Sequence, residues 1–329
     1  MLHVVNGACA ARALKMADIP GEYLPWDDLL YEGPVPIPEP LGRLNQIRAK
    51  FVTEAGWSNF ADAIQRFEHR NRVLENHANR DKVILWNSFE LTDQLQLLQL
   101  LHWFSMRTDQ TGRIRIVFVD DYLAENATTL VQKHWGTQQV VGATRISTAA
   151  NFWTAFCAKT PMDLYQLTRS DQYALEFPFL DEALERLFQE FPAIGDGLSQ
   201  TQRQILLALR DEPKTPAGIF QFSQAREARR FIGDWSVWRL LEDMARAATP
   251  LIKPVHGSWI PDLSLKVDSQ AEFYTRRIEL TSAGRSVLSG RADAIELNGI
   301  DRWIGGTHLI PGAVWRWCGD RKKFVRTAR

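Results

Sequence analysis

Short β-branched runs alternate with longer helical stripes in the first part of the chain. Leucine recurs from Leu91 to Leu101 at spacings of four, three and three, as on one face of a helix. Further helices are predicted over 8–17 and over 41–79, the latter in two segments broken near Gly56. Buried strands are predicted at residues 2–5, 21–25, 82–86 and 114–119. This alternation predicts an α/β domain with a mostly parallel sheet over residues 1–145.

The pattern changes beyond a helical connector at 146–196. Ser199 is a plausible N-cap, and Pro213 ends the helix that follows it. Helices are predicted at 200–210, 216–222, 235–247 and 281–288, and paired strands at 251–255 and 276–280. Three helices, a two-stranded wing and a following helix predict a winged-helix-like, mainly helical domain over 197–329.

Two irregular segments stand out. The loop over 31–40 holds four prolines, which favour a stiff extended path. The C-terminal segment 297–317 interleaves aromatic and basic residues with glycines. Such rings either stack nucleic-acid bases or cover a seam between domains. Because a free tail would leave this apolar area in water, we expect the segment to pack against the rest of the protein.

Composition excludes several classes of protein. With 45% hydrophobic and 24% charged residues, wholesale disorder is ruled out. No apolar run approaches the roughly 18–20 residues of a membrane span, and no secretory signal begins the chain. The three cysteines lie far apart and the histidines lack ligand spacing, so neither a disulfide framework nor a metal site is expected. These features predict a cytoplasmic protein.

Charge is unevenly distributed although the net charge is zero. Residues 1–196 carry 18 basic against 25 acidic side chains, a balance of −7, and residues 197–329 carry 21 against 14, a balance of +7. The two parts therefore have different partners or attract each other. A basic cluster ends the chain, either as a solvated tail or as a polyanion contact: Arg321, Lys322, Lys323, Arg326 and Arg329.

Polar residues follow the predicted strands, and the carboxyl ends of parallel strands meet at one sheet edge, where ligands bind. The candidate ligand-binding residues there are Asn6, Gly7, Cys9, Trp26, Asp28, Glu32, Glu90, Asp93 and Gln94, with Asp120 at the last strand. Small residues from Gly7 to Ala10 suit either a phosphate at the helix N-terminus or tight strand–helix packing. Cys9 is either a thiolate nucleophile or a small buried residue.

The acidic candidates allow two interpretations. Asp28, Glu32 and Asp93 suit acid/base chemistry, but acidic residues near prolines also form solvated turns, and Asp93 fits a helix first turn. From the C-terminal segment, Asp301, Arg302 and His308 either complete a composite site beside Asn6 or pair within their own domain. The nucleic-acid candidates are Arg239, Arg246, Arg276 and Arg277.

Several motifs resemble a bacterial family catalogued as domain of unknown function number 1835. They are Leu2-His3-Val4-Val5-Asn6-Gly7, Gly21 to Val35, Asp93 to Leu97, Gly197 to Gln204 and Asn298 to Leu309. The resemblance covers nearly the whole chain but implies little about function, because the family is largely uncharacterised. Similar proteins usually carry Asp-Ser at Ala8-Cys9 and often Glu-His-Asp at Ser88-Phe89-Glu90, and many have His at Tyr31. These departures indicate either dispensable positions or a lost activity.

Three functions fit these patterns. The first is a regulatory or binding protein that senses a small phosphorylated ligand and contacts nucleic acid or a protein partner through the winged helix. The second is an enzyme acting on a phosphate-containing or nucleotide-like substrate in the strand-end cleft. The third is an interaction module without small-molecule chemistry. Nucleic-acid binding through helix 235–247 is expected to be weak and salt-sensitive, because Glu242 and Asp243 oppose its arginines.

Overall fold

The computed structural model is a mixed α/β protein and describes residues 1–36, 40–107, 112–123, 127–259 and 272–327. The chain divides into two compact units. The first comprises Met1–Thr53, Asn59–Glu185 and Trp303–Thr307. The second comprises Glu54–Ser58, Arg186–Arg302 and His308–Arg329.

A five-stranded sheet forms the centre of the first unit. Its strands are β1 (Leu2–Val5), β2 (Glu22–Pro25), β3 (Val83–Asn87), β4 (Ile114–Phe118) and β5 (Gln139–Val140). The order is β2-β1-β3-β4-β5, with the first four strands parallel and β5 antiparallel to β4. The predicted, mostly parallel sheet is therefore confirmed. Every residue of β1 and β3 is buried, as continuous apolar runs require in a sheet covered on both faces.

Helices lie in the connections between these strands and after β5. They are α1 (Gly7–Met16), α2 (Leu41–Glu54), α3 (Phe60–Glu75), α4 (Leu91–Ser105), α5 (Thr128–Trp135), α6 (Ala143–Phe156) and α7 (Met162–Leu167). Short 3-10 turns lie at Asn76–Asn79 and Asp171–Tyr173. The gap between α2 and α3 confirms the predicted break, where Gly56 has a φ of 74°. In the proline-rich loop, residues 37–39 lie outside the described residues.

The second unit contains helices and small antiparallel sheets. Helix α8 (Leu180–Phe188) spans the boundary between the units. It is followed by α9 (Gln200–Ala208), α10 (Pro216–Gln224), α11 (Asp234–Arg246), β6 (Ile252–Pro254), β7 (Ile278–Leu280), α12 (Ser282–Leu288) and α13 (Ala294–Asn298). Strands β6 and β7 pair antiparallel. Helices α9, α10 and α11 bury Leu206, Ile219 and Val237 in one apolar core with residues of both strands.

The C-terminal segment is folded. It contains β8 (Arg302–Ile304), β9 (Thr307–Leu309), β10 (Val314–Cys318) and β11 (Lys323–Thr327). In the second unit, Trp317 of β10 packs against Phe188 and Phe324, with ring centroids 5.4 and 4.9 Å away. This confirms the expectation that the segment packs rather than trails. Within the described residues, no helix is both long and apolar enough to cross a bilayer.

The turn between β8 and β9 belongs to the first unit. The amide of Val35 donates to the carbonyl of Gly305 at 2.8 Å, and the amide of Gly306 donates to the carbonyl of Phe156 at 2.9 Å. A Cβ atom on Gly306 would lie 1.9 Å from the carbonyl oxygen of Cys157. Only glycine therefore fits this contact, so a segment from late in the chain packs closely on α6.

Candidate functional site

The carboxyl ends of three neighbouring parallel strands meet at one edge of the five-stranded sheet. Asn6 follows β1, Trp26 and Asp28 follow β2, and Ser88 follows β3. Trp26 and Ser88 are fully buried, Asp28 is 6% exposed, and Asn6 is half-buried. This edge therefore has a polar interior rather than an apolar one.

Arg48 of α2 binds Asp28 inside this edge. Its Nε and Nη2 atoms donate to Oδ1 of Asp28 at 2.9 and 2.7 Å, and both side chains are fully buried. Arg48 also donates to the carbonyls of Glu32 at 2.6 Å and Leu29 at 3.0 Å. One guanidinium group thus neutralises the Asp28 carboxylate and fixes the loop that follows β2. The expectation that Asp28 is a solvated turn residue is wrong.

A second buried arginine, Arg70 of α3, stacks on the aromatic residues of the same region. Its guanidinium carbon lies 4.1 Å from the Trp26 ring centroid and 4.4 Å from that of Phe67. Nη1 donates to the carbonyl of Asp27 at 3.2 Å, and Nη2 lies 3.9 Å from Oδ2 of Asp28. Burial lowers the pKa of Arg70 to about 10, so the group remains cationic at neutral pH.

Asp93, in the first turn of α4, accepts hydrogen bonds from Ser88. The Ser88 amide donates to Oδ2 of Asp93 at 3.0 Å, and the Ser88 hydroxyl donates to the same oxygen. Gln94 donates through Nε2 to the Ser88 carbonyl at 2.6 Å. Burial raises the pKa of Asp93 to about 6, although hydrogen bonds from Ser88 and Asn6 oppose the shift. This carboxyl group therefore titrates close to neutral pH.

Two further glutamines of α4 connect the strand ends. Nε2 of Gln96 donates to Oδ1 of Asn6 at 3.3 Å and to the carbonyl of Asp28 at 3.2 Å. Nε1 of Trp26 donates to Oε1 of Gln99 at 2.8 Å. The polar edge cluster, as we name it, consists of Asn6, Trp26, Asp28, Arg48, Arg70, Ser88, Asp93, Gln94, Gln96 and Gln99.

Several buried polar atoms in and beside this cluster have no hydrogen-bond partner among the described residues. Among the described residues, no partner is found for the buried atoms Asp28 Oδ2, Asn45 Oδ1 and Nδ2, Arg70 Nε, Asn71 Oδ1, Asn87 Oδ1, Gln94 Oε1 and Gln99 Nε2. Buried polar groups are nearly always bonded, and each unsatisfied one costs about 1–3 kcal/mol. Several of them lie in or next to the cluster, and a polar molecule bound there would offset this cost.

Other candidates lie at the margin of this region. Asn6 is the N-cap of α1, although its side chain makes no capping hydrogen bond to the helix, and Gly7 has a φ of 77°. A Cβ atom on Gly7 would lie 3.3 Å from Oδ1 of Asp27, so a carboxylate stands beside this helix N-terminus. Glu90 caps α4 and, like Glu32, is half-buried.

Cys9 and Asp120 are not part of the polar edge cluster. Cys9 is an exposed free thiol, so the prediction of a buried residue is wrong. It lies outside the buried stripe of α1, which runs through Ala10, Ala13 and Leu14. Asp120 is exposed, and its oxygens lie 3.0 Å from His134 Nε2 and 3.5 Å from Lys133 Nζ of α5.

Arg48 and Arg70 were not among the site residues predicted from the sequence, because both lie within predicted helices. Each stands at a position of a buried helical stripe that is normally apolar. Arg48 follows Leu44 by four positions, and Arg70 follows Phe67 by three. A charged residue at an apolar position of a helical stripe is thus the signal that would have found both arginines.

The candidates from the C-terminal segment have contacts inside the second unit. Asp301 Oδ1 lies 2.7 Å from His308 Nε2. Arg302 donates to the carbonyl of Glu190 at 3.0 Å and to Oε2 of its carboxylate at 2.9 Å. Arg186 and Arg302 hold the pKa of Glu190 at about 2 despite its burial. A composite site that joins these residues to Asn6 stays a prediction.

The four nucleic-acid candidates all lie in the second unit. Arg246 of α11 pairs with Glu242 at 2.8 Å, and Arg239 is half-buried. Arg276 donates to the carbonyl of Ser258 and to Glu272, and Arg277 donates to the carbonyl of Pro213. Most of these guanidinium groups thus serve contacts within the chain.

No family model and no curated protein matches this chain. One solved structure similar to it is the DNA-binding, cleavage and re-ligation domain of Plasmodium falciparum topoisomerase II, at 10% identity and a TM-score of 0.45. The match covers 87% of this chain and 47% of that one, so the chain spans about half the length of that structure. So low a TM-score supports no statement about fold or function.

The site's chemistry therefore follows from its own residues. The described part of the chain places no group of three or more His, Cys, Asp or Glu side chains where a metal ion could be held. What the polar edge cluster offers is two guanidinium groups, amide donors and acceptors, and a carboxyl group with a pKa of about 6. These groups suit the recognition of a polar, anionic small molecule.

Proposed function

We propose that this chain is a ligand-binding regulatory protein. Its first unit binds a small phosphorylated molecule at the polar edge cluster, and its second unit contacts nucleic acid or a protein partner. The unused hydrogen-bonding capacity of buried atoms at the strand ends supports ligand binding most directly. A ligand that bonds to these atoms removes a cost of folding, so binding and stability are linked.

The arginine donors of the cluster suit an anionic ligand. Arg48 and Arg70 both lie beside the buried carboxylate of Asp28, and the Arg70 Nε–H is without a partner among the described residues. Arginine presents several N–H groups that match the oxygens of a phosphate. The N-terminus of α1, reached through the small residues after Asn6, adds backbone N–H donors at the same edge.

The second unit is proposed to be a winged-helix-like module. Support comes from its element order: three helices, a two-stranded antiparallel sheet and a further helix packed on one core. Membership of the family of domain of unknown function number 1835 is part of the same proposal, on the motifs given above.

The ligand site can be tested by calorimetric titration of the full chain with ATP and with inorganic phosphate. The informative variant is Asn45→Leu, which removes two unpartnered buried atoms from the buried face of α2. We expect this variant to unfold at a higher temperature than the wild type, because a desolvation cost is removed, and to bind at least one probe more weakly. Asn76→Leu is the control, since the side chain of Asn76 is exposed and donates to the carbonyl of Arg72, four residues away.

The two readouts separate binding from packing. Weaker binding together with higher stability supports the site, because a purely structural residue would not change both in opposite directions. Failure of the wild-type chain to bind either probe would overturn the proposal of a phosphorylated ligand.

An enzyme is the second candidate, and the pKa of Asp93 is the observation that favours it. A carboxyl group with a pKa of about 6 is suited to general base catalysis near neutral pH. Under this alternative the chain hydrolyses a phosphorylated substrate, and Asp93→Asn lowers turnover at least about 100-fold. Phosphate release from ATP by wild type and variant is the measurement.

A further inference from the structure

The strand order of the first unit reverses at one point of the sheet. From β1 the chain passes through α1 to β2 on one side of β1, and it then crosses to β3 on the other side. In open parallel sheets, ligands bind outside the carboxyl ends of the strands at such a reversal. We name the carboxyl ends of β1 and β3 the switch point of this sheet.

Polar side chains stand on both sides of the switch point. Val4 of β1 pairs with Leu85 of β3, and the same parallel register continued by two residues places Asn6 opposite Asn87. Asn87 is 3% exposed, and its Oδ1 atom has no partner among the described residues. Gln94, whose Nε2 atom bonds the carbonyl that follows Asn87, is fully buried and has an unpartnered Oε1 atom. Buried acceptor oxygens therefore lie next to the switch point.

The unpartnered atoms show what a ligand must supply. In the cluster and at its neighbour Asn87, three are acceptors, namely Asp28 Oδ2, Asn87 Oδ1 and Gln94 Oε1, and two are donors, Arg70 Nε and Gln99 Nε2. A fully ionised phosphate group only accepts hydrogen bonds, so it suits the donors and none of the acceptors. A hydroxyl group both donates and accepts. A ligand that serves all of these atoms therefore carries hydroxyl or amino groups in addition to phosphate.

A further carboxylate stands at the carboxyl end of β2. Asp27 is exposed, and its Oδ1 atom would lie 3.3 Å from a Cβ atom on Gly7, where β1 turns into α1. No described residue donates a hydrogen bond to this carboxylate. The protein around it raises the pKa of Asp27 by desolvation, and the charges of Arg70 and Arg66 oppose the shift. Asp27 thus offers acceptor oxygens beside the turn that borders the switch point.

The spacing of Asp27 from Gly7 has a chemical meaning. Asp27 follows Gly7 by 20 positions, across α1 and β2. In parallel sheets that bind dinucleotides, an acidic residue about 20 positions beyond the glycine turn hydrogen-bonds a ribose hydroxyl. Cys9 and Arg12 stand where the glycine motif of those sheets has its second and third glycines. The likeness therefore extends to the acidic residue and not to the phosphate loop.

We propose that the ligand of the first unit is a ribonucleotide and that the carboxylate of Asp27 accepts hydrogen bonds from its ribose hydroxyl groups. This inference rests on the proposed binding of a phosphorylated molecule and names the sugar that carries the phosphate.

Calorimetric titration of the full chain with ATP and with 2′,3′-dideoxy-ATP tests the inference, because these probes differ only in the two ribose hydroxyls. We expect the wild type to bind ATP at least about 10-fold more tightly, since hydrogen bonds to a carboxylate are among the strong ones. In Asp27→Ala the ratio of the two affinities is expected to fall to about one. Asp81→Ala is the matched control and keeps the wild-type ratio, because Asp81 is exposed and precedes β3 at the opposite edge of the sheet.

The outcomes separate this inference from the proposed function. A loss of discrimination confined to Asp27→Ala supports ribose recognition by Asp27. Equal affinity of the wild type for both nucleotides overturns the inference and leaves a site for a phosphorylated ligand, and this result needs no variant. If Asp27→Ala changes both affinities by the same factor, Asp27 acts through its charge alone and the inference is wrong. If neither nucleotide nor inorganic phosphate binds, the inference and the proposed phosphorylated ligand are both overturned. Circular dichroism checks that both variants fold.

Discussion

At the residue scale, the proposed function depends on the buried polar groups of the first unit. Arg48, Arg70 and Asp93 are each at most 3% exposed. A polar side chain in such a place must be bonded, or the fold loses stability. Arg48 is largely satisfied by Asp28 and by loop carbonyls. For Arg70 and Asp93, the cost of burying the charge is only partly offset by their partners. The pKa of Arg70 is therefore lowered and that of Asp93 is raised.

The first prediction concerns the pH dependence of stability at Asp93. Burial raises its pKa to about 6 from 3.8, so the folded state prefers the protonated carboxyl. The stability contributed by protonation is present below about pH 4 and is lost as the pH rises through about 6. We therefore expect Asp93→Asn to exceed the wild type in stability by about 3 kcal/mol at neutral pH and by little near pH 4.

Urea unfolding at several pH values between about 4 and 7 measures this difference. Asp163→Asn is a suitable control, because Asp163 is an exposed first-turn residue of α7. If Asp93→Asn were destabilising by the same amount at every pH, the hydrogen bonds from Ser88 would outweigh the burial of the charge.

At the element scale, local capping signals define where helices begin. Ser199 accepts a hydrogen bond from the Gln202 amide, and the Gln202 side chain accepts one from the Ser199 amide. This capping box satisfies amides that the first turn of α9 leaves without helical partners. The predicted N-cap at Ser199 is thereby confirmed.

The second prediction is that Ser199→Ala lowers the free energy of unfolding by about 1 kcal/mol, because the N-cap bond is lost in a buried position. Chemical denaturation followed by circular dichroism is the measurement. Ser289→Ala is the comparison, since the hydroxyl of the exposed Ser289 donates to the nearby carbonyl of Ser286. Equal losses in both variants would contradict a specific capping role.

At the scale of the whole molecule, the first unit includes a segment distant in sequence. The turn at Gly305 and Gly306 contacts Val35 and the end of α6, although about 150 residues separate it from α6. Residues from the end of the chain are therefore needed to complete the unit that begins it.

The third prediction follows from this contact. A side chain on Gly306 must displace the backbone at Cys157, so Gly306→Ala is expected to lower stability by about 1–3 kcal/mol. Amide hydrogen exchange should accelerate at Val35 and in the last turn of α6. Gly319→Ala serves as the control, because nothing lies within 4 Å of a Cβ atom placed there. Unchanged exchange at Val35 would show that the turn is dispensable to the first unit.

Pattern alone determined the four parallel strands and most helices of this protein, whereas the strands β5 and β8 to β11 were not predicted. The four parallel strands, the break near Gly56 and the Ser199 cap were all predictable. The reason is that hydrophobic periodicity and capping depend on residues close in sequence. Asn6, Asp28, Asp93 and Gln94 were also found, because polar residues that follow parallel strands share one edge.

Tertiary structure alone decided which polar groups are buried and what they bond to. Arg48 and Arg70 reach Asp28 across 20 and 42 positions, and Glu227 is removed from the surface by Arg186 from 41 positions away. No local pattern encodes such pairings, because burial and ion pairing depend on residues that only folding brings together. The same cause placed the C-terminal glycines against α6.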